Sequence, residues 1–488
     1  MTTYDAVIIG AGLGGLTCGA LLARAGRKVL VIEKSNSVGG AASSYKVGDL
    51  FVEGSLHETS DPTDPRDPKH EILKRAGVLD AVKWIPGGAF FEVRGGPVGV
   101  PLSVPDNFAG ARDALTARFP HHADGIAELL SEMERFAAGA PENDSQTSLA
   151  DRLQQIFGND EAVKCAIAAN LSYYHDDPAT LWWPFFAAAQ GSYLQSGGRY
   201  VQNGSQRLSS ALARVVIKSE GCGVVVRRVV TAIEKKGDAF IVSHTAKDGS
   251  DPKTAEAIRV ISNAAPESTV ELLAQSQRPP FLSRYRDLSP SISVFALTLG
   301  LAKPPRDFGF TSYSTQLLPD WMTSLADYAK AAALMADEPA ARMPPLAMAD
   351  YAAIDSGVPA PPYVLSVIAP DRLSNWTGID HDAYRAKRGR WQDAIIAYLD
   401  AHYPGLAKAV VASSFNTAMS VRQYLGAPNG AVYGFAPTVP RSTDEMAARS
   451  PATAVPGLYL SSSYAGFGGY TGAIQAAGAC ADLILRES

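Results

Sequence analysis

At 488 residues the chain is longer than one ordinary hydrophobic core accommodates, so two domains, or one domain inserted in another, are expected. Apolar residues at 46% and charged residues at 19% describe a folded protein with a sizeable interior and exclude disorder over most of its length. A net charge of −5 without any lysine/arginine cluster gives no electrostatic footprint for DNA or RNA, and nucleic-acid partners are set aside.

In chain order, "YDAVIIG" is an apolar run of strand length, "LTCGALLARAG" has helical spacing and "KVLVIEK" is a second buried strand, which makes one βαβ unit. Gly10, Gly12, Gly14 and Gly15 around Ala11 and Leu13 satisfy G-x-G-x-x-G between strand and helix, and Glu33 ends the next strand. Each part has a physical task. Gly10 makes the turn, Gly12 lets backbone N–H groups reach a pyrophosphate at the helix N-terminus, and Gly15 lets helix pack on strand. Glu33 would accept the ribose hydroxyls and repel a 2′-phosphate. A second pair, Gly39-Gly40, follows in "EKSNSVGGAASSY". No charged leader and no apolar run of about 18 residues appears, so the cytoplasm is expected. Cys18, Cys165, Cys222 and Cys480 lack C-x-x-C spacing and read as small buried hydrophobes.

"SDPTDPRDPKH" (60–70) holds three Asp-Pro pairs and reads as a loop or linker, and "EILKRAGVLDAV" as a short helix ending near Gly77. Residues 105–195 carry apolar residues at three- and four-residue spacing, a helical insertion. Within it Tyr173, Tyr174, Trp182, Trp183 and Phe186 gather, as core, as the wall of a tunnel for a long apolar substrate, or as a surface that touches a membrane. Residues 224–249 alternate like a strand pair, "AIRVISNAAP" is a buried strand ending in a turn, and 285–412 mix strands with a charged helix. Near the end, "YAGFGGYTGAIQAAGACADLIL" sets a second glycine cluster, Gly466, Gly468, Gly469 and Gly472, before a helix of small residues. The eight histidines, His121-His122 included, show no metal-ligand spacing, and no G-x-S-x-G occurs, so no metal site and no serine hydrolase is expected.

The first 45 residues resemble the start of the phytoene desaturase, carotenoid isomerase and retinol saturase family, and the fingerprint continued by Gly39-Gly40 is similar to that of glutathione-reductase-like flavoproteins. The resemblance implies FAD as cofactor and an α/β fold: a glutathione-reductase-like FAD-binding Rossmann domain with an inserted mixed-sheet and helical substrate domain. The cofactor part is expected at 1–100, 195–280 and 413–488, and the substrate part at 101–194 and 281–412. It also implies that Lys34, Ala41 and Ala42 continue the cradle and that the backbone of Val230 reads the adenine edge. Ser463, Gly468, Gly469, Tyr470 and Thr471 would close over the flavin. In "FVEGSLHETSD" (51–61), Glu53 would stand near the cradle, and His57, a group able to give and accept a proton near neutrality, would face the flavin with Glu58 as orienting neighbour.

Two departures stand out. Ser462-Ser463 replace the Gly-Asp usual in the family, and Ala41 stands where carotene desaturases tend to carry arginine, which is nearer to the isomerase and saturase branch. The implied activity is an FAD-dependent oxidoreductase or redox isomerase working on double bonds of a long apolar polyene or isoprenoid lipid, with peripheral membrane contact and an open oligomeric state. Amine oxidation on the same fold, and a flavin-free prenyl-lipid carrier of the GDP-dissociation-inhibitor type, are the competing classes. The intact fingerprint with Glu33 argues against the carrier.

Overall fold

The opening pattern folds as its spacing dictates: β1 is Thr3–Ile9, α1 is Leu13–Arg24 and β2 is the fully buried Val29–Ile32. A computed structural model describes residues 3–54, 58–139 and 146–487. β1 and β2 pair in parallel, and Gly223–Val225 on one side and Lys253–Ser262 on the other extend the parallel sheet. Ala239–Ala246 and Arg228–Lys236 add antiparallel strands, and Leu458–Leu460 joins Lys253–Ser262 in parallel. Parallel neighbours need long crossovers, so this sheet draws on segments spread over nearly the whole chain.

A second, mixed sheet has the order Val410–Asn416, Ser293–Leu301, Tyr363–Asp371, Leu346–Asp350, Ser314–Leu318, Ala89–Gly95, Gly99–Pro105. Alternate residues of its central strands go to opposite faces. Phe295, Leu297, Leu365 and Val367 pack with Trp376 and Trp391, whereas Ala296, Val364 and Ile368 pack with Tyr200, Tyr313 and Tyr351. Both faces are covered, which is why these strands read as continuous apolar runs.

Two expectations are corrected. The hairpin at 89–105 belongs to the second sheet, because Ala89–Gly95 pairs in parallel with Ser314–Leu318, so a boundary at residue 100 cuts through it. Likewise Val410–Asn416 crosses the boundary drawn at 413. The Asp-Pro run is the loop its sequence suggests, a series of turns, and it packs inward: Asp61, Asp67 and Lys69 are buried, with the Lys69 ammonium 2.9 Å from Asp67.

The helical insertion forms at Phe108–Arg118, Ala123–Ala137, Leu149–Phe157, Glu161–Ile167 and Trp183–Ser196. Asn107, Ser148 and Asp160 each cap the helix that follows with a side-chain oxygen. No described helix is long and apolar enough to cross a membrane.

Candidate cofactor and active site

Where β1 meets α1, Gly10 turns the chain at φ +93°, a conformation rarely open to residues with a Cβ. Gly39 and Gly40 fold back over this turn: the Gly39 N–H donates to the Ala11 carbonyl at 2.7 Å, and a Cβ on Gly40 would lie 3.2 Å from the Gly12 Cα. Ala41 is exposed, while Ala42 is buried and its carbonyl accepts from Ser209 Oγ at 2.7 Å. Gly14 and Gly15 serve the protein's own packing. A Cβ on Gly14 would stand 2.3 Å from the Ser461 carbonyl oxygen, and one on Gly15 2.3 Å from that of Gly10. Ser461 Oγ also donates to the Gly14 carbonyl at 3.0 Å, so the two ends of the chain are pressed together at this point.

Leu13 begins α1 as a buried residue, and Gly12 is its N-cap. No side chain among the described residues caps that helix, and its first turn holds no acid. The last helix, Gly469–Arg486, starts the same way behind Gly468. Some other helices carry side-chain caps, Asp380 before His381–His402 among them, and others, Gln206–Lys218 for one, carry none. At these two ends the unpaired N–H groups and the positive end of the helix dipole are left for an anion or a carbonyl oxygen. One N–H is already used, since Gly15 donates to Asn263 Oδ1 at 3.0 Å.

Glu33 is buried, and its two oxygens accept from the Ala11 and Ser35 N–H groups at 2.7 Å each. Those bonds fix the carboxylate and leave further lone pairs for hydroxyl donors. Lys34 is exposed and reaches toward Gly426. Val230 lies on the sheet-edge strand Arg228–Lys236, opposite His244 and next to a bulge.

In the carboxy-terminal loop Ser462 Oγ accepts from the Tyr464 N–H at 3.3 Å and Ser463 begins a single turn, so the serines in place of Gly-Asp are built into local structure. Gly469 is exposed at φ +76°, with open space where a Cβ would be. Thr471 Oγ1 accepts from the buried Lys69 at 3.1 Å, which ties the Asp-Pro loop to the last helix. The Tyr470 hydroxyl lies beside Ser205 and Glu53. Glu53 is buried and accepts from the Tyr200 hydroxyl at 2.8 Å and from the Ser205 N–H at 3.1 Å. Burial still pushes its carboxyl up to about 7. Two uncapped helix N-termini, a glycine-lined approach and an anchored carboxylate at the end of β2 fit an extended dinucleotide.

His57 lies outside the described residues. Glu58 is described. Its Oε1 is sealed from solvent and has no hydrogen-bond partner among the described residues. A Cβ on Gly198 would meet it at 2.2 Å and one on Gly87 at 3.0 Å. Burial first, and the charge of Asp106 second, push the Glu58 carboxyl up to about 8. Tyr173, Tyr174, Tyr193 and Tyr313 are close enough to feel its charge, and burial keeps their phenols neutral.

The aromatic cluster divides between the carboxy-terminal loop and the core of the helical part. Trp182 stacks on Phe467 of the carboxy-terminal loop and Phe185 packs against it tilted, at 6.4 and 4.8 Å between ring centroids. Trp183 and Phe186 point into the core of the helical part, and the Trp183 indole donates to Glu132 at 3.1 Å. Tyr174 lies in the same core, 5.5 Å from Phe186 between ring centroids, and Tyr173 and Phe185 pack against it. Elsewhere, His121 and His122 converge on one oxygen of Asp160, each at 3.1 Å, which their sequence spacing did not suggest.

The sequence reading missed Asn263, Ser461, Lys69 and Asp106. For Asn263 a signal existed in "VISNAAP": a polar residue closing a buried strand.

A family model described as an NAD(P)-binding Rossmann-like domain matches residues 8–63. The all-trans-retinol 13,14-reductase of Danio rerio is 22% identical over an alignment covering 99% of this chain and 86% of that protein. The chloroplastic prolycopene isomerase of Daucus carota is 24% identical, covering 99% of this chain and 81% of that one. In structure, cyclohexylamine oxidase from Brevibacterium oxydans superposes with a TM-score of 0.63 at 14% identity, covering 99% of each chain. The chain is therefore a distant homologue, along its whole length, of retinol 13,14-reductases and prolycopene isomerases, built on the amine-oxidase-like fold of a Rossmann domain joined to a mixed-sheet substrate domain.

Proposed function

We propose that the chain is an FAD-dependent oxidoreductase that acts on a double bond of a long apolar polyene or isoprenoid lipid. The observation that carries the cofactor is the glycine turn at Gly10–Gly12 with the uncapped N-terminus of α1 behind it and the Glu33 carboxylate anchored on the Ala11 N–H. Relatives named for retinol and prolycopene support the substrate class. When bound, FAD supplies the hydride acceptor or donor.

The chain's own residues do the rest. Gly12 and the first turn of α1 hold the pyrophosphate, Glu33 the ribose hydroxyls, and Gly39, Gly40, Ala41 and Ala42 continue the cradle. Gly468, Gly469, Tyr470 and Thr471, with Ser463 before them, close on the flavin end. Tyr173, Tyr174 and Trp182 exclude water from the reacting carbon. Lipid delivery asks for peripheral membrane contact, and Tyr45, Val47, Val411 and Tyr424 are exposed apolar side chains, with the Tyr45 hydroxyl accepting at 3.2 Å from Asn416 beside them.

The test is the visible spectrum of the purified protein, followed by anaerobic incubation of the flavin-loaded form with all-trans-retinol or prolycopene and mass analysis of the product. Protein that carries no flavin and takes none up refutes the reading. Oxidation of cyclohexylamine in place of any polyene would move the chain to amine oxidation.

A further inference from the structure

We infer that Glu58 is the acid that delivers a proton to one carbon of the double bond as the neighbouring carbon receives hydride. The inference rests on the proposed FAD-dependent reading and assigns a role there to a residue expected only to orient His57.

The seat of this side chain is built. Thr59–Ser60, Gly198–Val201 and Trp84–Pro86 form a small three-stranded sheet, and Glu58 enters it at the end of the first strand. Its carboxyl occupies space that exists only because Gly198 and Gly87, on the next two segments, lack a Cβ. Gly87 N–H donates to the Gly198 carbonyl at 3.0 Å, which locks those two together, and the Tyr193 hydroxyl donates to the Glu58 carbonyl at 2.9 Å. Backbone and walls are fixed while Oε1 is left unpaired. Other buried oxygens share this state, Thr59 Oγ1 among them, but Glu58 is the carboxylate whose charge would be desolvated in a seat shaped by two glycines.

The charged groups facing Glu58 do not neutralise a carboxylate. Asp106, from the end of Gly99–Pro105, accepts from the Gly198 N–H at 3.3 Å and brings a like charge. Arg199, the cation of this sheet, is held by Asp61 at 2.9 Å and stands 4.0 Å from Asp106. Tyr173, Tyr174, Tyr193 and Tyr313 supply neutral phenols. Glu58 is thus an acid carrying its proton at neutral pH, and such a group donates rather than abstracts. That favours adding hydrogen across a double bond over removing it. In the step the π bond breaks, one carbon takes hydride from reduced FAD, and the other takes the Glu58 proton. Two C–H bonds would form, the hydride having come from the reduced flavin, and Glu58, left as carboxylate, would regain its proton from water admitted as the product leaves.

The experiment compares the full-length, flavin-loaded protein with Glu58→Gln, using all-trans-retinol as probe under anaerobic reducing conditions in heavy water. Flavin content and melting temperature check the fold. The infrared carbonyl band of a protonated carboxylic acid at neutral pH, in the difference between wild type and variant, reports the state of Glu58 whether or not turnover occurs. The expected result is full flavin content in both, loss of that band in the variant, one solvent deuteron placed in the wild-type product, and turnover reduced by about 10² to 10⁴. Turnover without the band, or undiminished turnover in Glu58→Gln, overturns the role of Glu58 alone. A band without turnover of retinol or prolycopene refutes the polyene reading and the proton transfer with it. Should Glu58→Gln fail to fold, Gly198→Ala, which crowds the carboxyl without removing it, is expected to shift the band and slow turnover, and an unmoved band with full turnover overturns the proposal.

Discussion

Replacing Glu58 by glutamine should make the protein more stable, and by an amount that grows with pH. The carboxyl is pushed up from 4.5 to about 8 in the folded state, so below 4.5 both folded and unfolded chains hold the proton and nothing is gained or lost. Between these values the folded chain keeps a proton that the unfolded chain releases, and wild-type stability falls by about 1.4 kcal/mol per pH unit. Glutamine keeps the shape and cannot ionise. From about pH 5 to about pH 7 the variant therefore gains about 3 kcal/mol over wild type, with a further rise up to about pH 8. Glu53, at about 7, and Asp350, at about 6, tilt both profiles in the same direction and cancel in the difference. The assay is urea denaturation of both proteins across that range. Parallel profiles would show that Glu58 is ionised in the folded state, and the argument from its sealed oxygen would fail.

Gly14→Ala should lose flavin and about 1–3 kcal/mol of stability, because the new Cβ would sit 2.3 Å from a backbone oxygen that cannot rotate away; full flavin content by absorbance would contradict this. Lys69→Met leaves Asp67 buried without its cation and should cost about 3–5 kcal/mol in denaturant melts, most of it recovered by adding Asp67→Asn. If the single variant melts like wild type, the pair is not what fixes the Asp-Pro loop. Ser463→Asp, which supplies the acid that the family resemblance implies at this place, should bind FAD as tightly as wild type or more tightly in a fluorescence titration, and a clear loss would mean that the loop has been rebuilt around another contact.

What the sequence made legible was local. The glycine turn, α1, β2 and Glu33 fall within some thirty residues, so apolar periodicity and glycine placement were enough to place them. The helical insertion was readable for the same reason. Pairings set by distant register were not: nothing in Ala89–Gly95 announces a parallel partner at Ser314–Leu318, and the boundary at residue 100 failed there. The Asp-Pro run was legible as a loop, but its burial was not, because that depends on Lys69 finding Asp67, Ser60 and Thr471. The state of Glu58 was the least legible feature. It depends on two absent Cβ atoms and one aspartate, from three segments that meet only in the folded chain. Trp183 and Phe186 fall in the core of the helical part, one of the alternatives the aromatic stretch left open, and nothing local in the sequence chose among them.

The contact between Gly14 and Ser461 also bears on how a cell makes the holoprotein. Synthesis runs from the amino end, so the nascent chain carries its open glycine turn long before Leu458–Leu460 and the last helix leave the ribosome. During that time the inner strand Lys253–Ser262 has a bare edge where Leu458–Leu460 will pair, and the second helix end that would grip the cofactor does not yet exist. On the proposed reading, flavin capture would therefore be a late, post-translational event that coincides with docking of the carboxy-terminal segment. In a flavin-starved cell this closure, rather than the Rossmann unit itself, is where the chain stays open to proteases and where supplementation would rescue its abundance.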